Sequence, residues 1–144
     1  MDVSIVIVNY NTKDLTRDCL NSIYEKTKDI EFEVFVVDNN SHDGSAEMIE
    51  QEFPQVILIR NSENKGFGAA NNIAIRRSSS KYVFLLNTDA ILRDNAIKTF
   101  SEYMEQNSDV GAIGGQLLYP DGSYQSSGGR FPTISRIIAS LLCI

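Results

Sequence analysis

Short apolar runs rich in β-branched residues alternate with stretches of helical periodicity four times along this chain, and no other feature narrows its fold as much. Residues 3–8 (VSIVIV), 34–37 (VFVV), 56–59 (VILI) and 82–86 (YVFLL) have the length and composition of buried strands. Between the first two, Leu15, Cys19, Leu20, Ile23 and Tyr24 recur at helical spacing over residues 13–26, with Thr12 placed to cap them. Ala46, Ile49 and Phe53 mark a second helix that Pro54 stops, and Ala70, Ile73 and Ala74 a third that closes at residues 78–80. Asp94 caps a fourth, with Ile97, Phe100 and Met104 inward, leading to a fifth strand at residues 110–113. Parallel neighbours need helical crossovers, which are right-handed. The alternation therefore predicts an α/β fold, a doubly wound, mainly parallel sheet covered on both faces.

After Gly114 and Gly115 the pattern changes. Residues 116–119 and 123–126 flank Pro120-Asp121-Gly122, the signature of a β-hairpin. Gly128, Gly129 and Pro132 then break the chain before an apolar stretch at residues 137–144 that reads as a truncated helix. The 144 residues are expected to form a single domain, an alternating core over 1–114 followed by the hairpin segment over 115–144.

Charge and cysteine usage exclude several partners. A net charge of -6 argues against general affinity for nucleic acid or anionic membrane, while 42% hydrophobic and 22% charged residues describe a globular chain. Cys19 and Cys143 lie in apolar segments without metal-ligand or redox spacing, as free thiols of a reducing compartment do. His42 stands alone in a polar loop and reads as a solvated residue. The first residues enter a strand pattern directly, without a signal sequence, and the apolar run at 137–144 is too short to span a bilayer. The expected location is the cytoplasm.

The fourth run stops abruptly at Asn87, Thr88 and Asp89, so the Asp89 carboxylate falls at the carboxyl end of its strand. Open α/β sheets bind ligands outside those ends, where an acid can hold a metal and, through it, a phosphate. Three other polar loops end the earlier strands: Asn9-Tyr10-Asn11, Asp38-Asn39-Asn40-Ser41 and Asn64-Lys65-Gly66. Gathered at one edge they offer amides and a carboxylate for base and ribose, an aromatic ring for stacking, and a lysine near phosphates. Singly, each has a plainer reading: Tyr10 as packing, Asp38 and Ser41 as turn formers, Lys65 as solvated charge. Residues 66–71 (GFGAAN) fail as a dinucleotide fingerprint because they end in Asn and follow the third strand. No Walker-type loop or nucleophile elbow is present. A receiver-like regulatory module is the better rival, but it needs acids after the first strand, where this chain has Asn9, Tyr10 and Asn11.

Five ordered segments, SIVIVNYN (4–11), VVDNNSHDGS (36–45), NKGFGAANN (64–72), LLNTDAIL (85–92) and GGQLLYPDGSYQSSGG (114–129), resemble the inverting family 2 glycosyltransferases. The likeness is to their Rossmann-like nucleotide-sugar-binding fold, called GT-A, and especially to the rhamnosyltransferase-like branch. It implies that Val8, Asn9 and Tyr10 with Asp38 and Asn39 hold the nucleoside of a UDP- or dTDP-sugar, and that Lys65, Gly66 and Asn72 border the donor pocket. Asn87-Thr88-Asp89 stands where the family carries its Asp-X-Asp signature, which makes Asp89 the ligand of Mn2+ or Mg2+ bridging the two phosphates. Two departures limit the transfer. Asn87 replaces one acid of that signature, and Asn39 replaces an aspartate that reads uracil; an amide donates as well as accepts, so the base stays open.

The resemblance further implies inverting transfer to a polysaccharide or lipid-linked acceptor, in the cytoplasm or peripheral to the inner face of the membrane. Such transfer needs a general base beside the acceptor hydroxyl. Asp94, Glu102, Glu105, Asp109 and Asp121 are the acids after Asp89, and capping, surface charge or a turn accounts for each. The base is therefore expected outside this chain. Self-association through the final apolar segment is a secondary expectation. The competing function is a nucleotide-binding or receiver-like regulatory module without transferase activity.

Overall fold

A computed structural model of the protein describes residues 1–126. The break at Gly128, Gly129 and Pro132 and the apolar stretch with its self-association lie outside the described residues. Met1–Gly111 forms one compact unit, and the hairpin belongs to a second, Ala112–Ile144. In the first unit the order is β1 (Val3–Asn9), α1 (Lys13–Lys26), β2 (Phe32–Asp38), α2 (Ser45–Glu52), β3 (Ile57–Arg60), α3 (Phe67–Ile75), β4 (Tyr82–Asn87) and α4 (Ala96–Gln106). The strands form one parallel sheet in the order β3-β2-β1-β4.

The β-branched composition of β1 suits its central place, paired to β2 through Ile5↔Val34 and to β4 through Ile5↔Phe84. Alternation along the strands divides the core in two. Ile5, Ile7, Val34 and Val36 pack with Cys19, Leu20 and Ile23 of α1 and Met48 and Ile49 of α2. Val6, Phe35, Val37 and Ile59 meet Ala70 and Ala74 of α3 on the other face, where two small residues let the helix lie close to the sheet. The chain steps from β1 to β2 to β3 in one direction with α1 and α2 on one face. It then returns across β2 and β1 to reach β4, and a right-handed crossover puts α3 on the opposite face. Strand order reverses between β1 and β4, which makes that junction the topological switch point of a doubly wound sheet.

Several local expectations change. The run at Tyr82 is not buried on both faces: β4 is an edge strand among the described residues, with Tyr82, Phe84 and Leu86 against the core and Val83 and Leu85 40% and 51% exposed. The face bearing Val83 and Leu85 is the one α3 covers, but α3 packs chiefly over β1 and β2. Residues 110–113 form no strand; Gly111 within the run and Gly114 after it disfavour extended pairing, and none of its backbone groups joins a ladder. Leu15, placed by periodicity in the buried stripe of α1, is 48% exposed because it sits in the first turn, beside the cleft at the sheet's carboxyl edge. Thr12 holds the N-cap position of α1 without a side-chain cap bond. Asn95, not Asp94, precedes α4, and its side chain is engaged with the backbone of Lys28.

In the second unit, β5 (Leu117–Leu118) and β6 (Tyr124–Gln125) form the expected antiparallel hairpin. Gly122 takes φ 86° in its turn, and the Asp121 carboxylate accepts the Ser123 N–H at 2.8 Å.

Candidate functional site

At the carboxyl edge of the sheet, the ends of β1 and β2 are joined by a closed set of polar contacts. Asn9, the last residue of β1, is fully buried, and its Nδ2 donates to Asp38 Oδ1 at 2.7 Å and to Ser41 Oγ at 3.0 Å. Its Oδ1 accepts from Thr12 Oγ1 at 2.7 Å and Thr16 Oγ1 at 2.8 Å, and this is where the Thr12 hydroxyl goes in place of capping α1. Thr12 Oγ1 also lies 3.1 Å from Thr88 Oγ1, which ties the loop after β4 to the same set. The second Asp38 oxygen accepts the Ser41 N–H at 3.0 Å. Asn11 and Asn40 adopt the left-handed conformation that asparagine tolerates, and Asn11 Oδ1 accepts the His42 N–H at 2.8 Å. His42 is exposed, as expected of a solvated loop residue.

Above this layer lies an open cleft of about 390 Å³, within the roughly 300–1,000 Å³ of small-molecule sites. Val8, Tyr10, Asn39, Gly66, Asn87, Thr88 and Asp89 line it, seven residues expected from the sequence to form the site. Val8 pairs directly with Asn87 across the switch point, so the Tyr10 loop and the Asp89 loop leave the sheet side by side. Tyr10 is 48% exposed, as a ring available for stacking must be. Asp89 follows β4 by two residues and is exposed. Beneath the loop the Cys19 thiol approaches the Asn87 carbonyl at 3.5 Å; burial, and secondarily the Asp89 charge, push this thiol up to about 12, so it stays protonated at neutral pH.

Four expected site residues do not line the cleft. Asn9 and Asp38 lie behind it as the buried brace just described, and Lys65 and Asn72 are exposed beside or beyond it. Asn64, from the third polar loop, lines it as well, and sequence reasoning missed Thr12, Leu15 and Phe67, which also do. Leu15 and Phe67 stand in the first turns of α1 and α3, and an apolar residue in a first turn that follows a polar loop was the available signal. Among the described residues no three His, Cys, Asp or Glu side chains converge as a metal cluster. Asp89 alone still fits a hard divalent cation, because Mg2+ is commonly held by one or two carboxylates with substrate phosphates and water completing its shell.

The family model for Glycosyl transferase family 2 matches residues 4–141, nearly the whole chain. The chain belongs to glycosyl transferase family 2. The family 2 domain is 31% identical over 116 residues to a poly(ribitol-phosphate) beta-glucosyltransferase of Bacillus spizizenii, covering 76% of this chain and 18% of that protein. It is 30% identical over 133 residues to the glycosyltransferase GlyG of Streptococcus pneumoniae, covering 90% of this chain and 42% of the relative. The domain thus spans less than half the length of these curated relatives.

Among solved structures, S. aureus TarS 1-349 in complex with UDP superimposes with a TM-score of 0.67 at 22% identity, over 75% of this chain and 33% of that one. The mannosyltransferase PcManGT of Pyrobaculum calidifontis, solved with GDP-Man and Mn2+, gives a TM-score of 0.67 at 24% identity, over 83% of this chain and 36% of that one. The fold is that of the GT-A glycosyltransferases. Among the described residues no helix is long and apolar enough to cross a membrane.

Proposed function

We propose that the family 2 domain binds a nucleoside diphosphate sugar in the switch-point cleft, with Mn2+ or Mg2+ held at Asp89, as the donor half of an inverting transfer to a polysaccharide or lipid-linked acceptor. The observation that carries this reading is the cleft itself: Tyr10, Asn39, Asn87 and Asp89, from three different strand ends, face one opening of the right size. Solved neighbours bound to UDP and to GDP-Man with Mn2+ support a nucleotide donor and a divalent cation. Tyr10 and Phe67 supply apolar ring surface for base or ribose, and Asn39 and Gly66 line the same cleft. A cation at Asp89 would neutralise charge that grows on the departing diphosphate. With one carboxylate in place, a bound diphosphate and water would supply the remaining ligands. The uridine, thymidine or guanosine identity of the base and the cytoplasmic, membrane-peripheral location belong to this proposal.

The regulatory alternative with Asp38 as phosphoacceptor needs that carboxylate accessible. Asp38 is 3% exposed and both of its oxygens are already engaged, which favours the transferase reading.

Calorimetry with UDP, dTDP and GDP, each with and without Mn2+, tests the proposal. Mn2+ alone should bind weakly, Mn2+ should tighten the preferred nucleotide, and Asp89→Ala should abolish that enhancement while the protein stays folded. A folded Asp89→Ala protein that keeps full Mn2+-dependent binding would remove the metal role. The general base is proposed to lie outside this chain. Glu105 is paired with Lys81 and hydrogen-bonded by Tyr82, and Asp121 is held by Ser123, contacts that lower both carboxyls below their ordinary values. The 144-residue chain should therefore bind donor without acceptor-dependent release of nucleoside diphosphate; such release would place the base within it.

A further inference from the structure

The cleft is lined in part by an asparagine whose hydrogen-bonding capacity is already used inside the protein. Asn39 is 2% exposed. Its Oδ1 accepts from Asn61 Nδ2 at 2.9 Å and from the Lys65 backbone N–H at 3.3 Å, while its Nδ2 donates to Asn64 Oδ1 at 3.0 Å and, more weakly, to the Gly66 carbonyl at 3.5 Å. Asn64 Oδ1 also accepts the Gly66 N–H at 2.8 Å. Backbone N–H groups can only donate, so Lys65 and Gly66 fix which end of each amide faces them, and the side chain of Asn61 must present its NH₂ to Asn39. Asn61 is itself anchored, its N–H donating to the Asp38 carbonyl at 2.8 Å just beyond β3.

The segment so held includes a backbone position that only glycine adopts readily. Gly66 takes φ 77° and ψ 165°, a region essentially confined to glycine. Asn39, Asn64, Gly66 and Phe67 line the cleft, whereas Asn61 does not. We propose that Asn61 is a positioning residue for the donor: by locking the Asn39 amide it holds the Lys65–Gly66 backbone in its binding conformation, and Asn39 shapes the wall and does not read the base. This rests on the donor-site reading above. A consequence is that weakening the brace lowers affinity for every nucleotide by one common factor, because no base-specific contact is lost.

Two substitutions separate hydrogen bonding from space filling. Asn61→Ala deletes the donor, and Asn61→Asp keeps the shape but sets a carboxylate oxygen against Asn39 Oδ1. If Asn61 merely fills space, the aspartate variant stays near the parent protein; if it acts as a donor, the aspartate variant is worse than the alanine one. Backbone amide hydrogen exchange at Lys65 and Gly66, read without ligand, and calorimetric Kd values for UDP, dTDP and GDP with Mn2+ supply independent readouts. The expected result is faster exchange at both amides and Kd values raised about two- to tenfold in Asn61→Ala, equally for all three nucleotides, with a larger effect in Asn61→Asp. Circular dichroism checks folding, and should the aspartate variant unfold, the alanine variant alone decides.

Unchanged exchange in Asn61→Ala overturns the brace. Faster exchange with unchanged Kd values overturns its role in donor binding. A shift in relative affinity for the three nucleotides in Asn39→Asp, in place of a uniform loss, makes Asn39 a base reader after all. If the unsubstituted chain binds none of the three, the donor-site reading falls, and the exchange rates alone decide the brace.

Discussion

At the scale of single residues the site depends on backbone conformations that few side chains tolerate. A Cβ on Gly66 would meet nothing within 4 Å, so the objection to a side chain there is conformational and not steric. Gly66→Ala should cost about 1–3 kcal/mol if the geometry is kept. Relaxation of the loop would instead spare stability and sacrifice nucleotide affinity. Urea unfolding and calorimetry on the same variant distinguish the two, and loss of neither quantity would show that the conformation is not demanding. Asn11 and Asn40 need no glycine for their positive φ, since both are asparagines whose short polar side chains tolerate the left-handed region.

At the scale of elements, one exposed carboxylate serves two helices. Asp43 Oδ2 accepts the N–H of Lys13, the first residue of α1, at 2.9 Å, and Asp43 Oδ1 accepts the N–H of Ser45, the first residue of α2, at 3.0 Å. Both are groups that helices leave unsatisfied at their starts, where a negative charge is also favoured. Burial by itself would raise the Asp43 carboxyl; the Ser45 hydroxyl and the N–H groups of Lys13 and Ser45 outweigh it and hold the carboxyl below its ordinary value. Because the folded value is the lower one, the stabilisation is present above the unfolded value and is lost as pH falls through the folded one. Asp43→Ala should cost about 1 kcal/mol at neutral pH, and the gap from the parent should close as pH drops below about 3.9. Equal unfolding midpoints at pH 7 would refute the shared cap.

At the scale of the whole molecule, Asn9 joins the pieces of sheet and helix that carry the site. Its one amide contacts β2 through Asp38, the following loop through Ser41, and α1 through Thr16, and Thr12 extends the set to the loop after β4. Removing it leaves buried partners without hydrogen bonds, so Asn9→Ala should lower stability by about 1–3 kcal/mol. It should also weaken nucleotide binding, although Asn9 does not line the cleft. Denaturation at neutral pH checks the first effect, and a midpoint unchanged from the parent would mean that water takes over its bonds. The same closed network explains why Asp38 cannot double as a surface nucleophile.

Fold class, strand order of appearance and the loops that make the site were legible because they depend on local pattern. Buried strands announce themselves by β-branched runs, and crossover geometry turns repeated alternation into a parallel sheet. Asp89 was legible for the same reason, since a carboxylate ending a strand of such a sheet must stand at its ligand-binding edge. What lies beside what was not. That Tyr82–Asn87 is an edge strand among the described residues, with Val83 and Leu85 exposed, follows from where α3 packs, and no run of residues encodes that. Nor does the sequence distinguish Asn9, sealed behind the cleft, from Asn39 on its wall. Both are asparagines at strand ends, and only the tertiary structure decides which hydrogen bonds each amide has already spent on its neighbours.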